Sequence, residues 1–405
     1  MRSNYKRLGG YIRQVDIRNL EDKKNNLFGV STQKVFIHSI ANTIGTDFKS
    51  YKVIKEGQFA YVPDTSRRGD KIGIALLSGK YEGLVSQAYI VFEVSETEKL
   101  IPEYLMMWFK RPEFDRYARY KSQGSVREIF DWNEMCDVQL PIPSIDKQKS
   151  IVQEYNTLAN RITLNNQLNQ KLEETAQSIY KQWFVDFEFP DENGKPYKSN
   201  GGEMVESEMG EIPQGWRVGT LEDLGKVVGG ATPSKDREEY YTKNGIAWIT
   251  PKDLSGINRK FVSKGEIDIT ELGYKKASTQ LIPSGSVLFS SRAPIGYMAI
   301  ALNELCTNQG FKSIVPEKNI GAPYVYYFLH FKKVEIACEA TGSTFDEVSG
   351  AMMKNVVSLI PDERVALKFK EICDPIFSQQ EKFIVHVSIS NNLKNLLLSK
   401  LSFVA

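Results

Sequence analysis

The side chains able to do chemistry in this chain are few and scattered. Its three histidines, His38, His330 and His386, stand alone. No Cys-x-x-Cys, His-x-x-x-His or His-Glu-x-x-His spacing gathers ligands for zinc. Two stretches come near a phosphate loop, residues 73–80 and 219–226. Each puts five residues between its glycines instead of four, and Tyr81 or Val227 stands where a Ser or Thr would hold magnesium. Both read as ordinary turns. Pro190-Asp191-Glu192-Asn193-Gly194-Lys195 has nuclease-like letters but reads as a compact turn, not as two strands carrying separated carboxylates. No Gly-x-Gly-x-x-Gly and no Asn-Pro-Pro-aromatic tetrad occurs. No catalytic residue, metal site or cofactor is expected.

What the sequence does supply is basic residues in polar turns. The clusters are Lys49-Ser50-Tyr51-Lys52, Ser66-Arg67-Arg68-Gly69-Asp70-Lys71, Lys235-Asp236-Arg237, Arg259-Lys260, Lys275-Lys276 and Ser290-Ser291-Arg292. An arginine fork can read guanine with two hydrogen bonds, and lysine mostly neutralises phosphate. Gly124-Ser125 and Gly342-Ser343-Thr344 can present backbone N–H groups and hydroxyls to phosphate. The candidate DNA contacts are therefore Lys49, Lys52, Arg67, Arg68, Lys71, Ser125, Lys235, Arg237, Arg259, Lys260, Lys275, Arg292, Ser343 and Thr344. At each, an ordinary solvated side chain is the alternative, and Arg68 and Arg292 could equally be structural.

The elements that must position them come as a duplication. Ile54-Lys55-Glu56-Gly57 matches Ile282-Pro283-Ser284-Gly285, and Ser86-Gln87-Ala88-Tyr89 matches Asn308-Gln309-Gly310-Phe311. Gly124-Ser125 matches Gly342-Ser343, and Leu140-Pro141-Ile142-Pro143 matches Leu359-Ile360-Pro361. The order is kept while the offset drifts slowly, as it does when loops gain or lose residues. Each copy mixes short β-type runs, such as 246–249, 286–289 and 297–301, with one helical stretch that opens on proline, 102–109 and 323–331. An α+β class follows. After each copy, apolar positions recur at alternating steps of four and three. The first seam is Ile151, Tyr155, Leu158, Ile162, Asn165, Asn169, Leu172, Ala176, Ile179 and Trp183. The second is Val365, Phe369, Ile372, Ile376, Gln379, Phe383, His386, Ser390, Leu393 and Leu397, with Pro375 expected to kink or divide its helix. Two equal helices from one duplication are expected to pair antiparallel; two amphipathic helices each packed on its own domain are the alternative. Residues 189–215 read as an exposed linker with a turn at 192–195. The divisions expected are 1–144 and 213–361 as globular domains, 145–189 and 362–405 as long helices, and 190–212 as linker.

Composition bounds the rest. A chain of 405 residues has room for two or three domains. With 25% charged residues and 40 Phe and Tyr, it is not disordered. No apolar run reaches the ~18 residues of a membrane span, and Met1-Arg2-Ser3 opens no signal peptide. Cys136, Cys306, Cys338 and Cys373 lie far apart, as reduced cytoplasmic thiols do. Net charge is only +2, but it is segregated: +4 over 1–144, −5 over 145–212, +2 over 213–361 and +1 over 362–405. Two basic modules beside an acidic connector suit DNA binding on a protein-pairing scaffold, although a solvated surface alone could give the same small excess.

The second copy opens with Gly210-Glu211-Ile212-Pro213-Gln214-Gly215-Trp216. Downstream follow Gly230-Ala231-Thr232-Pro233-Ser234, Trp248-Ile249, Asp253-Leu254, Thr307-Asn308-Gln309-Gly310-Phe311 and Gly342-Ser343-Thr344-Phe345. With Trp183-Phe184-Val185-Asp186-Phe187 closing the central helix, these residues resemble the specificity subunit of type I restriction–modification systems. The first copy lacks the Gly-Trp opening, the Thr-Pro-Ser segment and Asn-Gln-Gly-Phe. The resemblance covers essentially the whole chain. It implies two tandem target recognition domains, each reading half of a split double-stranded DNA sequence. Between them, two long helices with pseudo-two-fold symmetry would form an antiparallel coiled coil, ~55 Å over 148–183 at ~1.5 Å per residue, that sets the unread gap. It further implies that Leu158, Ile162, Asn165, Leu172, Ile179, Trp183, Ile376, Phe383, Leu393 and Leu397 serve the coiled coil and its partner contacts, with two methyltransferase subunits docked on the helical spacer and flanking regions and translocase–nuclease subunits joining them. Catalysis would belong to those partners. The rival readings are an enzyme acting alone, a DNA methyltransferase or nuclease, and a coiled-coil scaffold that binds only proteins.

Overall fold

A computed structural model describes residues 5–24, 26–39, 45–65, 71–79, 82–122, 128–256, 260–292, 294–340 and 347–404. The chain forms two compact units, 1–165 with 385–405, and 166–384. Each is built of short strands, one principal helix and its own share of both long helices, Ile145–Phe184 and Glu363–Lys400.

In the first unit, Ile12–Val15, Ile90–Val94, Gln58–Tyr61 and Ile74–Leu76 lie side by side in that order as an antiparallel sheet. A second sheet runs Phe36–His38, Leu27–Val30, Glu82–Val85, Lys52–Lys55. Helix Pro102–Phe109 starts on proline, whose missing N–H costs nothing in the first turn. It buries Tyr104, Leu105 and Phe109 against Phe59 and Phe92, whose rings stack at 4.8 Å. Each such side chain contributes about 1.5–3 kcal/mol by leaving water. In the second unit the sheet runs Gly225–Gly229, Lys312–Pro316, Val287–Ser291, Ile295–Ala301, Phe261–Val262. Its helix, Gly321–Cys338, buries Tyr324, Val325, Tyr327 and Leu329.

The duplication holds bond for bond. Gly57 and Gly285 both adopt left-handed backbone, φ +80° and +84°, the conformation that favours glycine. The N–H of Gly57 reaches the Leu77 carbonyl at 2.9 Å, and that of Gly285 reaches Ala301 at 2.8 Å. Leu8 N–H donates to Val138 O at 2.8 Å, and Leu221 to Val356 at 2.9 Å. The Tyr104 hydroxyl donates to Pro141 O (3.1 Å), and Tyr324 to Leu359 O (2.6 Å). Asp131 and Ser349 cap equivalent short helices by accepting from Glu134 N–H and Met352 N–H.

The first seam is as expected: Ile151, Tyr155, Asn165, Ala176 and Trp183 are buried, and Leu158, Ile162, Leu172 and Ile179 half-buried. In the first unit, Ile151 and Tyr155 share a core with Leu398 and Leu401. In the second, the Trp183 and Phe369 rings lie 5.9 Å apart while Gln380 Nε2 reaches Glu173 at 3.0 Å, so the two helical stretches there run antiparallel. The second seam needs correction. Ile376, Phe383 and Leu397 are half-buried, but Ile372, His386 and Leu393 face solvent. In the second unit the buried positions are Ala366, Phe369, Cys373, Phe377 and Gln380. Two successive four-residue steps around Pro375, which sits inside an unbroken helix, move the seam on by one residue. A seam carried on at strict alternating steps of four and three therefore falls one residue short of the buried positions from Cys373 to Gln380.

Segment 189–215 is exposed over most of its length, as expected, but it is folded rather than an unstructured linker. Phe189 is buried with its ring stacked on Tyr197 (4.5 Å) and on Trp216 (5.3 Å), and Met204–Ser207 pairs with Gly210–Pro213 as a ribbon. The turn at 192–195 is present, its Asn193 and Lys195 N–H groups held by the Asp191 carboxylate. Of the two stretches read as turns, 73–80 contains strand Ile74–Leu76. Residues 219–226 hold the end of a strand, a one-turn helix capped by Thr220 and Asp223, and the next strand.

Candidate nucleic-acid interface

In the second copy, segments far apart in sequence meet at one polar edge. Trp248–Ile249 pairs in parallel with Cys306–Thr307. Asn308 N–H continues this ladder to Ile249 O at 3.0 Å, and Ala231 N–H bonds Thr307 O at 3.0 Å. The Trp248 indole N–H holds the Ala231 carbonyl at 3.1 Å. Only glycine fits at 230, where a Cβ would collide with the Thr307 and Asn308 carbonyl oxygens. Asp253 closes a capping box on Thr250 (2.8 and 2.7 Å), and its other oxygen accepts from Glu266 N–H.

From this frame a turn projects. Phe311 N–H returns to Asn308 O at 3.3 Å, and the Asn308 side chain accepts from Gly310 N–H at 2.9 Å. Phe311 is buried beneath it, and Gln309 is exposed at the tip, its amide oxygen accepting from the Thr232 hydroxyl. Gly310 O accepts from Ser291 N–H at 2.8 Å, which sets Arg292 next to the turn. Arg292 is half-exposed, 3.7 Å from Glu347. The first copy repeats the turn: Tyr89 N–H to Ser86 O at 3.0 Å, Ala88 N–H to the Ser86 hydroxyl at 3.4 Å, and Gln87 exposed.

Of the basic candidates, Lys49, Lys71, Lys235, Arg237 and Lys275 are exposed. Arg237 and Lys275 belong to neighbouring elements, because helix Glu271–Lys276 is held to the turn Glu238–Tyr240 by Thr270 N–H on Tyr240 O. Arg67, Arg68, Ser125, Arg259, Ser343 and Thr344 lie outside the described residues. Two candidates are corrected. Lys52 is buried and its ammonium donates to Tyr89 O at 2.8 Å. Burial also lowers its pKa. Lys260 is buried too: Nζ lies 2.7 Å from Glu173, 2.7 Å from the Tyr327 hydroxyl, 3.1 Å from Gln380, and 3.6 Å from the centre of the Phe377 ring. Burial among these rings pushes its pKa down to about 8 against the pull of Glu173. Both lysines fasten the fold, and a reading of charge type and turn context had no way to see their burial. That reading also passed over Gln87, Gln309 and Thr232, which are uncharged. Their signal was the repeat of an exposed Gln at one position of both copies.

Among the described residues no His, Cys, Asp and Glu side chains gather as a metal site, and no helix is long and apolar enough to cross a membrane.

The model of the type I restriction modification DNA specificity domain matches residues 16–174 and again 213–363. The chain belongs to this family and carries two copies of its domain in tandem. It is 43% identical over 156 residues to the type I restriction enzyme MjaIX specificity subunit of Methanocaldococcus jannaschii, a match spanning 38% of this chain and 36% of that protein. It is 23% identical to the HindI specificity subunit of Haemophilus influenzae, over 90% of this chain and 88% of that one. The fold is that of the type I restriction–modification S subunit solved from M. genitalium: TM-score 0.60 at 10% identity, covering 98% and 95% of the two chains.

Proposed function

We propose that this chain is the DNA-recognition subunit of a type I restriction–modification complex, each globular copy (1–144 and 213–361) reading one half of a bipartite duplex sequence. The observation that carries this reading is the duplication itself: one hydrogen-bonded frame, built twice, each copy with its own exposed basic side chains. In this reading the chain recognises DNA and catalysis belongs to its partner subunits. The exposed residues Lys49, Lys71, Lys235, Arg237 and Lys275, with the half-exposed Arg292, supply phosphate and base contacts, and Arg67, Arg68, Ser125, Arg259, Ser343 and Thr344 add to them. Affinity then falls steeply with salt, because binding releases counterions.

The long helices, 145–189 and 362–405, set the gap between half-sites and dock two methyltransferase subunits, to which translocase–nuclease subunits are added. Val385, Ile389, Leu393 and Leu396 are each 46–52% exposed and fall on one face of the C-terminal helix, as a partner-binding stripe does. The complex works in the cytoplasm, on the cell's own DNA. The test is a gel shift of a duplex carrying the target, with and without methyltransferase subunits, alongside incubation of the chain alone with DNA and cofactors. Sequence-specific retention that needs the chain, with no turnover by the chain alone, is expected. Cleavage or methylation by the chain alone would overturn the reading.

A further inference from the structure

We propose that Gln87 and Gln309 are equivalent base-reading residues, each contacting one A·T pair in the half-site of its own copy, and that Thr232 positions Gln309. This rests on the reading above and names residues within it. The turns 86–89 and 308–311 account for three of their four positions by structure alone. Ser86 and Asn308 bond the backbone two residues on, Ala88 and Gly310 are small, and Tyr89 and Phe311 pack inward. Glutamine at the second position does nothing for the backbone, yet both copies have it, and both expose it. An exposed amide kept at one position of both copies calls for a shared task. A carboxamide offers one acceptor and two donors in a plane, and this pairs bidentately with the N6–H and N7 of adenine in the major groove.

Thr232 supports the assignment for the second copy. Its hydroxyl donates to the Gln309 amide oxygen, occupying one of that oxygen's lone pairs and tying the side chain to the neighbouring segment. The second lone pair and both amide protons remain for a base. Arg292, set beside the turn through Ser291, brings a positive charge to the same edge.

The experiment uses the full chain assembled with its methyltransferase subunits. A pool of randomised duplexes is selected by wild type, Gln87→Ala, Gln309→Ala, Gln309→Glu, Thr232→Val and Thr232→Ser, and the retained DNA is sequenced. Gln87→Ala is expected to lose preference at one A·T pair of one half-site, by about 10- to 100-fold, and Gln309→Ala at one pair of the other. Gln309→Glu should shift that pair towards cytosine, whose N4–H₂ a carboxylate accepts. Thr232→Val should weaken the same pair as Gln309→Ala, and Thr232→Ser should restore it. Weakening spread evenly over all sequences, or an unchanged motif in the Gln variants, would overturn this proposal while leaving the subunit's function standing. If wild type itself selects no bipartite motif, the broader reading fails and this one with it.

Discussion

The two copies agree in the frame they fold on and part in what each builds around it. Both hang on the same strand pairings, left-handed glycines, tyrosine hydroxyls and helix caps. Away from that frame, the first copy builds a second four-stranded sheet with Lys52 buried under its turn. The second instead adds Phe261–Val262 to its main sheet, with Lys260 driven into a cluster of aromatic rings. The comparison separates two uses of lysine and arginine that look alike in sequence. Some fasten the frame; others stand free at its edge.

The sharpest way to break that distinction is to remove a fastening lysine. Lys260→Ala leaves the half-buried Glu173 without its cation, held only by the Gln177 and Gln380 amides, and should lower the unfolding free energy by about 3 kcal/mol in urea titrations. Lys235→Ala, at an exposed turn, should stay within about 0.5 kcal/mol. Equal losses would erase the distinction. Next in size, Gly57→Ala and Gly285→Ala should each destabilise by about 1–2 kcal/mol, since both force a Cβ into left-handed backbone with nothing to contact. A large effect in one copy and none in the other would show the frames to be less alike than their hydrogen bonds. Smaller still, Asp131→Ala and Ser349→Ala should each cost about 1 kcal/mol through loss of the helix cap. Arg292→Ala should change stability least, within about 0.5 kcal/mol, while weakening recognition of one half-site only in methylation assays.

Much of this was legible beforehand. Helix Pro102–Phe109 could be read to the residue, because proline is suited to its first turn. The duplication was visible because glycines with positive φ and turn-forming Asn or Ser cannot drift freely. The first long seam was visible because its apolar residues are also its buried ones. The second was misread because Cys373 and Gln380 lie inside while Ile372 and Leu393 lie outside, so hydrophobicity and burial disagree there. The packing of Phe189 and Tyr197 was hidden by their polar, glycine-rich surroundings. At the candidate interface, charge type could not tell the buried Lys52 and Lys260 from exposed lysines, since burial is a property of the folded chain. The polar edge around Gln309 is assembled by hydrogen bonds spanning 77 residues in sequence, as between Thr232 and Gln309, and no local pattern encodes such a contact.

The central claim is that each copy reads its own half of the target. It is tested most directly by mapping the methylated DNA motif in cells carrying the chain with its partner subunits. The map is then repeated after residues 213–361 are exchanged for the corresponding segment of a relative. The account predicts that one half of the motif changes while the other half and the gap stay as they were. A change in both halves would contradict it.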